Sequence, residues 1–339
     1  MFFSNQENTQ SNKQNVPLTN KSFNYQLIKN NSVKQDQICY AIAINKDVSI
    51  VLVACSKDIK VFEFQKEVLK QTQLLIDHQD YVNTLNFMNK SNRFISGSSD
   101  KQIIIWVQNQ NNQWVFQEKL TGHTNQIRCL VLNNNDDQII SGSSDNTIKF
   151  WMKKQNEWFC SQTIAEHTQQ LLALSLNDQQ NKVISCGWDA LILIIKQSQQ
   201  DSKWMIIQKI KVEQYGCRIC FIDDNIFTFQ PFSEYYMHIY EMNKTNEQYS
   251  KVKHIDLKGG YDQWYFPQQY VKSKCILVNE NKSCVYLIRK IGDCEFKIEQ
   301  TIQFKDNSQI YGQMSDDGQY LIIWDEGSKE IQIRKYNEI

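Results

Sequence analysis

Proline is nearly absent from this chain, three in 339 residues, and glycine is scarce at 11. Tight turns must therefore come from other residues. Asparagine tolerates left-handed backbone, so runs such as Asn133-Asn-Asn-Asp-Asp137 can stand where glycine would be usual. Any excess of charge is also missing, because 37 Lys and Arg balance 37 Asp and Glu. Without a long basic run, nucleic acid and anionic membrane are poor candidates for the main partner. Long hydrophobic runs are lacking too. The longest, Ser49–Cys55 and Leu191–Ile195, are far too short to span a bilayer. The start, Met1-Phe-Phe-Ser-Asn5, has neither the basic residues nor the apolar stretch of a secretory signal. The 10 cysteines are too scattered for a disulfide framework. Five of them (Cys39, Cys55, Cys129, Cys186 and Cys275) sit in apolar runs, where a thiol packs as a small hydrophobe. A reducing, cytoplasmic setting is the expectation.

The chain does have a repeat. Phe94-Ile-Ser-Gly-Ser-Ser-Asp100, ending at Trp106, returns as Ile139-Ile-Ser-Gly-Ser-Ser-Asp145, ending at Trp151. A worn third copy runs Val183-Ile-Ser-Cys-Gly-Trp-Asp189 and ends at Ile195. Each copy has a histidine upstream: His78, His123 and His167. The step from His to Asp is 22 residues in all three, and from His to the Trp slot it is 28. Such a fixed period marks a repeat architecture before any single residue is weighed. Stepping by about 45 residues from Phe62 lands on Trp106, Trp151, Ile195, Tyr240, Tyr286–Ile288 and Ile333. Seven units fit.

Within a unit the alternation reads as four short strands, a to d. In the clearest copy these are Ile127–Leu132, Gln138–Gly142, Thr147–Trp151 and Trp158–Ile164. The copy before it gives Val82–Phe87, Arg93–Gly97, Gln102–Val107 and Trp114–Leu120. Later units lose the polar markers but keep apolar pairs: Ile226–Gln230 with Met237–Tyr240, Cys275–Val278 with Val285–Ile288, and Tyr320–Trp324 with Glu330–Arg334. Residues 1–20 are Asn, Gln, Ser and Lys with little to bury, so a disordered tail is expected ahead of one domain over 21–339.

Gly122-His123, the Ser-Gly-Ser-Ser-Asp turns and the closing Trp106 and Trp151 resemble the WD-repeat β-propeller family. The resemblance is strongest over 77–195. Two departures stand out: Val107 and Met152 replace the Asp of the Trp-Asp dipeptide, and units five to seven lack the His and the Asp turn. The resemblance implies an all-β, seven-bladed propeller of four-stranded blades. It also implies one hydrogen-bonded set inside each marked blade: His78, Ser96, Asp100 and Trp106; His123, Ser141, Asp145 and Trp151; His167, Ser185 and Asp189. A buried carboxylate needs donors, and His can link it to a hydroxyl that in turn takes the indole N–H. Three copies at one spacing suit a scaffold. A hydrolase would instead expose one set in a cleft beside an oxyanion hole. No catalytic residues are assigned.

Cys217-Arg-Ile-Cys220 invites a metal or redox reading. Laid on strand a of the other units, however, Cys217 falls on Val82, Ile127 and Leu171, and Cys220 on Leu85, Leu130 and Leu174. These are core slots, and no second Cys pair lies at finger-like spacing. No metal or cofactor is expected. The strand-d aromatics Trp114, Trp158 and Trp204 read as outer-layer packing rather than a base-stacking platform, since no basic stripe separates them. A propeller must join its first and last blades or leave raw sheet edges. Phe23–Ile28, which alternates like a strand d, is expected to pair with Glu330–Lys335 and close the ring.

WD-repeat propellers serve as platforms for proteins and peptides, so the resemblance implies a non-enzymatic scaffold or adaptor. In such propellers contacts gather on the face where d–a loops and b–c turns emerge. Carried over, those positions are Tyr81, Asn83 and Ser99; Gln126, Arg128 and Ser144; Gln170, Leu172 and Trp188. Strands such as Trp158-Phe-Cys-Ser-Gln-Thr-Ile164 also resemble the WD-repeat adaptor of cytosolic iron–sulfur protein assembly, an alternative within the same class. Two further alternatives carry distinct signatures. A propeller enzyme needs clustered acids or metal ligands at one face, and a modified-peptide reader needs an acidic or aromatic cage.

Overall fold

Short alternating stretches bounded by Asn and Asp turns have one way to bury both faces, which is to stack as small sheets. The computed structural model describes residues 21–257, 266–305 and 308–339. The tail expected over 1–20 lies outside the described residues. Among the described residues seven antiparallel sheets form the blades of a closed propeller, six of four strands and one of five. Blade three is Ile127–Leu132, Gln138–Ser143, Ile148–Lys154 and Glu157–Ile164, and blade two is Val82–Phe87, Arg93–Ser98, Ile103–Gln108 and Trp114–Leu120. Blades five to seven hold the same pattern without its polar markers, for instance Ile226–Pro231 beside Tyr236–Met242. The turn at 133–137 does use left-handed backbone in place of glycine, at Asp136 with φ 59°.

The core is not one mass but a ring of seam layers. Each apolar cluster joins one blade to the next: Phe94, Trp106 and Trp114 of blade two meet Leu52, Val61 and Leu75 of blade one. Ile331, Ile333 and Trp324 of blade seven meet Val51, Val53 and Phe62 of blade one. The outer-strand aromatics belong to these seams, Trp114 packing on Phe94 at 4.8 Å and Trp204 on Phe150 at 5.0 Å. A side-chain clasp repeats at the rim. In strand d, Gln73, Gln162 and Gln208 each donate to and accept from the backbone that opens the next blade's outer strand, at Trp114, Trp204 and Tyr249. The primary amide thus mimics a peptide bond across the seam. Between blades two and three the slot is Glu118. Its carboxylate accepts from Trp158 N at 3.4 Å but has no N–H to return.

Blade six departs inside. Its strand a is only Gln269–Val271, and Arg218 of blade five reaches across instead. Arg218 donates from Nε to the Phe266 carbonyl at 2.6 Å and pairs with Glu280, both side chains fully buried. No helix among the described residues is long and apolar enough to cross a membrane.

Closure comes from the N-terminal strand, at a different register from the one expected. Phe23–Leu27 pairs with Arg334–Glu338, running from Phe23 opposite Glu338 to Leu27 opposite Arg334. The portion Glu330–Ile331 is paired by Val33–Lys34. Burial sets this register. Here Phe23 and Tyr25 both turn into the seam with blade six, where the Tyr25 hydroxyl donates to the Gly318 carbonyl at 2.6 Å. Arg289 of blade six caps the strand, its guanidinium 4.7 Å above the Phe23 ring and its Nη2 donating to the Lys21 carbonyl. Gln300 clasps Tyr25 as its sister glutamines clasp the other outer strands. Removing two buried aromatics costs several kcal/mol, so deleting 1–30 should lower Tm by more than about 10 °C. Deleting 1–18 should leave it unchanged. Thermal unfolding of the two truncations checks this, and equal Tm values would contradict the assignment.

Candidate interaction face and its supporting sets

Beneath one end of the propeller, three blades carry the same donor chain. In blade two, Trp106 Nε1 donates to Ser96 Oγ at 2.8 Å, Ser96 Oγ lies 2.7 Å from His78 Nε2, and His78 Nδ1 lies 2.7 Å from Asp100. Blade three repeats it with Trp151, Ser141, His123 and Asp145 at 2.9, 2.7 and 2.8 Å. In blade four Ser185 and Asp189 hold His167 at 2.8 and 2.9 Å, and Ile195 ends the chain. Trp is only a donor and carboxylate only an acceptor, so Ser and His link the two ends of the chain. Each carboxylate also takes two backbone N–H groups, from Gln79 and Gln102 in blade two and from Thr124 and Thr147 in blade three.

These sets fasten loops to blades. The His sits on the d–a loop and the Asp on the b–c turn, so their bond joins the two segments that surface together. Ser96, Ser141 and Ser185 are fully sealed from solvent, so none can attack a substrate. Burial by itself would raise the three Asp carboxyls. Hydrogen bonds from the paired His, and at Asp145 from Thr147 as well, outweigh it and hold them below the usual range.

One backbone bond marks the face in blades with and without the fastener. The residue before each b–c turn's Asp slot donates to the carbonyl just ahead of strand a. The pairs are Ser99 to Tyr81, Ser144 to Gln126, Trp188 to Gln170, Ser56 to Ile38, Phe232 to Tyr215 and Glu326 to Gln309, at 2.7–3.0 Å. Tyr81 is 45% exposed. Its ring meets Tyr40 edge-on at 5.1 Å, and Tyr40 meets Tyr311 at 5.6 Å. Arg128 donates to Ser144 Oγ at 2.8 Å and to Gln170 Oε1 at 3.2 Å, and Ser144 also donates to Gln170 at 3.0 Å. Gln126, Arg128, Ser144 and Gln170 are half-buried and form a rigid polar platform over blades three and four. Trp188 lies 5.8 Å from Tyr215, which stacks on Phe232 at 4.8 Å.

Not every expected face residue reaches solvent. Asn83, Ser99 and Leu172 are buried. Asn83 donates to Ser99 and, at 2.8 Å, to the Ile127 carbonyl, so it locks blade two to blade three. Tyr40, Tyr215 and Phe232 lie on the face and are missed by sequence, because positions counted from His and Asp cannot be placed in blades one and five. A step of 44 from Trp188 would have reached Phe232. The Cys217 alignment is also off by one. Gly216 opposes Pro231 as Leu171 opposes Gly187, which moves Cys217 to the slot of Arg128 and Leu172 and puts Ile219 in that of Leu174. The apolar matching slid because no histidine anchors that unit. Cys217 and Cys220 are both buried, and no group of three or more His, Cys, Asp or Glu among the described residues could hold a metal.

A closed ring of four-stranded blades, pinned by His–Asp fasteners beneath an aromatic and amide face, defines a repeat propeller. Residues 69–107 and 114–152 match the family model described as WD domain, G-beta repeat. No curated protein matches the chain. The match and the seven blades together make the chain a seven-bladed propeller that carries WD repeats in its second and third blades. The matched spans each begin in one blade's strand d and end in the next blade's strand c. That offset is why the last blade needs an outer strand from the N-terminus.

Because the three Asp carboxyls titrate lower folded than unfolded, protons favour the unfolded chain. The stability they contribute is therefore complete above about pH 4 and lost as pH falls further. Asp145→Asn should cost about 1–3 kcal/mol at pH 7, and its deficit against wild type should shrink as pH falls from about 4 to about 2. Denaturant unfolding across that range checks it, and a deficit independent of pH would contradict it.

Proposed function

We propose that the protein is a non-enzymatic scaffold that binds other proteins or peptides through this face. The observation that supports the reading is the contrast between the two ends of the ring. The d–a and b–c end carries Tyr40, Tyr81, Trp188, Tyr215 and Phe232 around the Arg128 platform, and protein interfaces are enriched in aromatic residues and Arg. The opposite end, at turns 133–137 and 177–181, is Asn, Asp and Gln. The Arg128, Ser144 and Gln170 side chains are already hydrogen-bonded to each other, so a partner meets side chains that lose little entropy on binding.

The fasteners serve this role indirectly. Each holds a d–a loop against its b–c turn, and the face residues are the neighbours of those anchored points. Affinity purification of wild type beside a Tyr81→Ala, Arg128→Ala, Trp188→Ala variant tests the reading. The variant should fold with an unchanged circular dichroism spectrum and retain less than about a tenth of the specific partners, as loss of hot-spot side chains implies. Full retention would place the contacts elsewhere.

A further inference from the structure

Blade five has no fastener, and the space is not refilled. Register sets Val212, Phe229, Ser233 and Tyr240 in the slots of His167, Ser185, Asp189 and Ile195. A groove of about 460 Å3 opens there, between the outer strand of blade four, Trp204–Lys211, and the sheet of blade five. Ile210 and Val212 form one wall. The other is a ladder of rings, with Tyr236 stacked on His238 at 5.1 Å and His238 lying 6.2 Å from Phe229 and 6.3 Å from Tyr240.

The groove is electrically lopsided. At its upper end Glu213 and Glu234 flank Tyr236, whose hydroxyl is pushed above its ordinary range by a hydrogen bond to Glu234 first, then by burial and by the charges of Glu234 and Glu213. Among the described residues neither carboxylate forms an ion pair. Asp256 stands across from Tyr236, and exposed His254 lies 3.6 Å from it. Lys251 lies at the lower end, opposite Tyr240. Lys209 and Lys211 sit along the blade-four strand, and Lys209 is taken by Glu166. Burial, then Lys251 and His254, bring the His238 pKa down to about 4, so its ring is neutral at neutral pH. His238 Nδ1 is buried without a hydrogen-bond partner.

Aromatic faces and carboxylates that lack an ion pair favour a planar cation that carries N–H donors. We propose that this groove binds an arginine side chain of a partner, the guanidinium stacked on Tyr236 and His238 and forked onto Glu213 and Glu234. A lysine would offer one compact charge and no plane to stack, which is why the ring ladder selects arginine. The groove opens beside Tyr215 and Phe232 of the proposed face, but Tyr81, Arg128 and Trp188 do not line it, so the two readings are tested by separate variants.

The test is a titration of the full-length protein with acetyl-Gly-Arg-Gly-amide and with its citrulline counterpart, which keeps the shape and loses the charge. Histidine ring signals are followed by NMR, with His238 assigned from a His238→Gln variant. The arginine peptide should bind saturably and move the His238 signals, while the citrulline peptide should not. Glu213→Gln with Glu234→Gln should weaken binding at least ten-fold at unchanged Tm. Equal binding of citrulline, equal binding by the double variant, or no movement of His238 at tens of millimolar peptide would each overturn the proposal.

Discussion

The pairing of Phe23–Leu27 with Arg334–Glu338 is the contact on which the rest depends. Every blade is buried on both faces by its neighbours, so no blade has a core of its own. Stability in such a ring comes from seams, and an unclosed ring would lose a whole apolar layer at once. The offset between repeat and blade makes closure a matter of sequence ends meeting. The seal is correspondingly heavy, with two buried aromatics, the Gln300 clasp and the Arg289 cap concentrated on five residues.

Beyond closure, different seams are held by different chemistry. Blades two to four use the buried His–Asp–Ser chain, which ties loop to turn. Blades five and six use buried polar side chains instead. Arg218 pairs with Glu280, and Thr228, Gln268, Asn279 and Gln230 form a connected string of amides and a hydroxyl. A fully buried ion pair adds little net stability over apolar packing, but breaking it strands a charge. It therefore constrains how blade six, with its shortened inner strand, can sit against blade five. The outer glutamine clasp is common to marked and unmarked seams, which shows that the rim is held independently of the fastener.

The architecture was legible because its signals are local and periodic. His-to-Asp spacing, alternation and the 45-residue step needed no tertiary information. What stayed hidden needed the third dimension. The closing register depends on which side of the strand Phe23 and Tyr25 turn, since a shift of one residue swaps the faces. The face in blades one and five was invisible because its marker residues are gone. Asn83 and Ser99 were placed correctly in the fold but read as surface, when the Ser99 hydroxyl is taken by the Asn83 amide and that amide by the Ile127 carbonyl of the next blade. The groove beside Val212 is an absence of side chains, and a missing histidine has no motif.

The fasteners of blades two to four hold their loops against their turns, and the variable neighbours of those fasteners are the proposed contacts with a partner. Amide hydrogen exchange on the protein alone and in complex with its captured partner tests this most directly. Protection should gather in the d–a loops and b–c turns, around 77–81, 98–101, 121–126, 143–146 and 187–190. Protection confined to the a–b and c–d turns, around 88–92, 109–113, 133–137 and 177–181, would put the partner on the other end of the ring and contradict it.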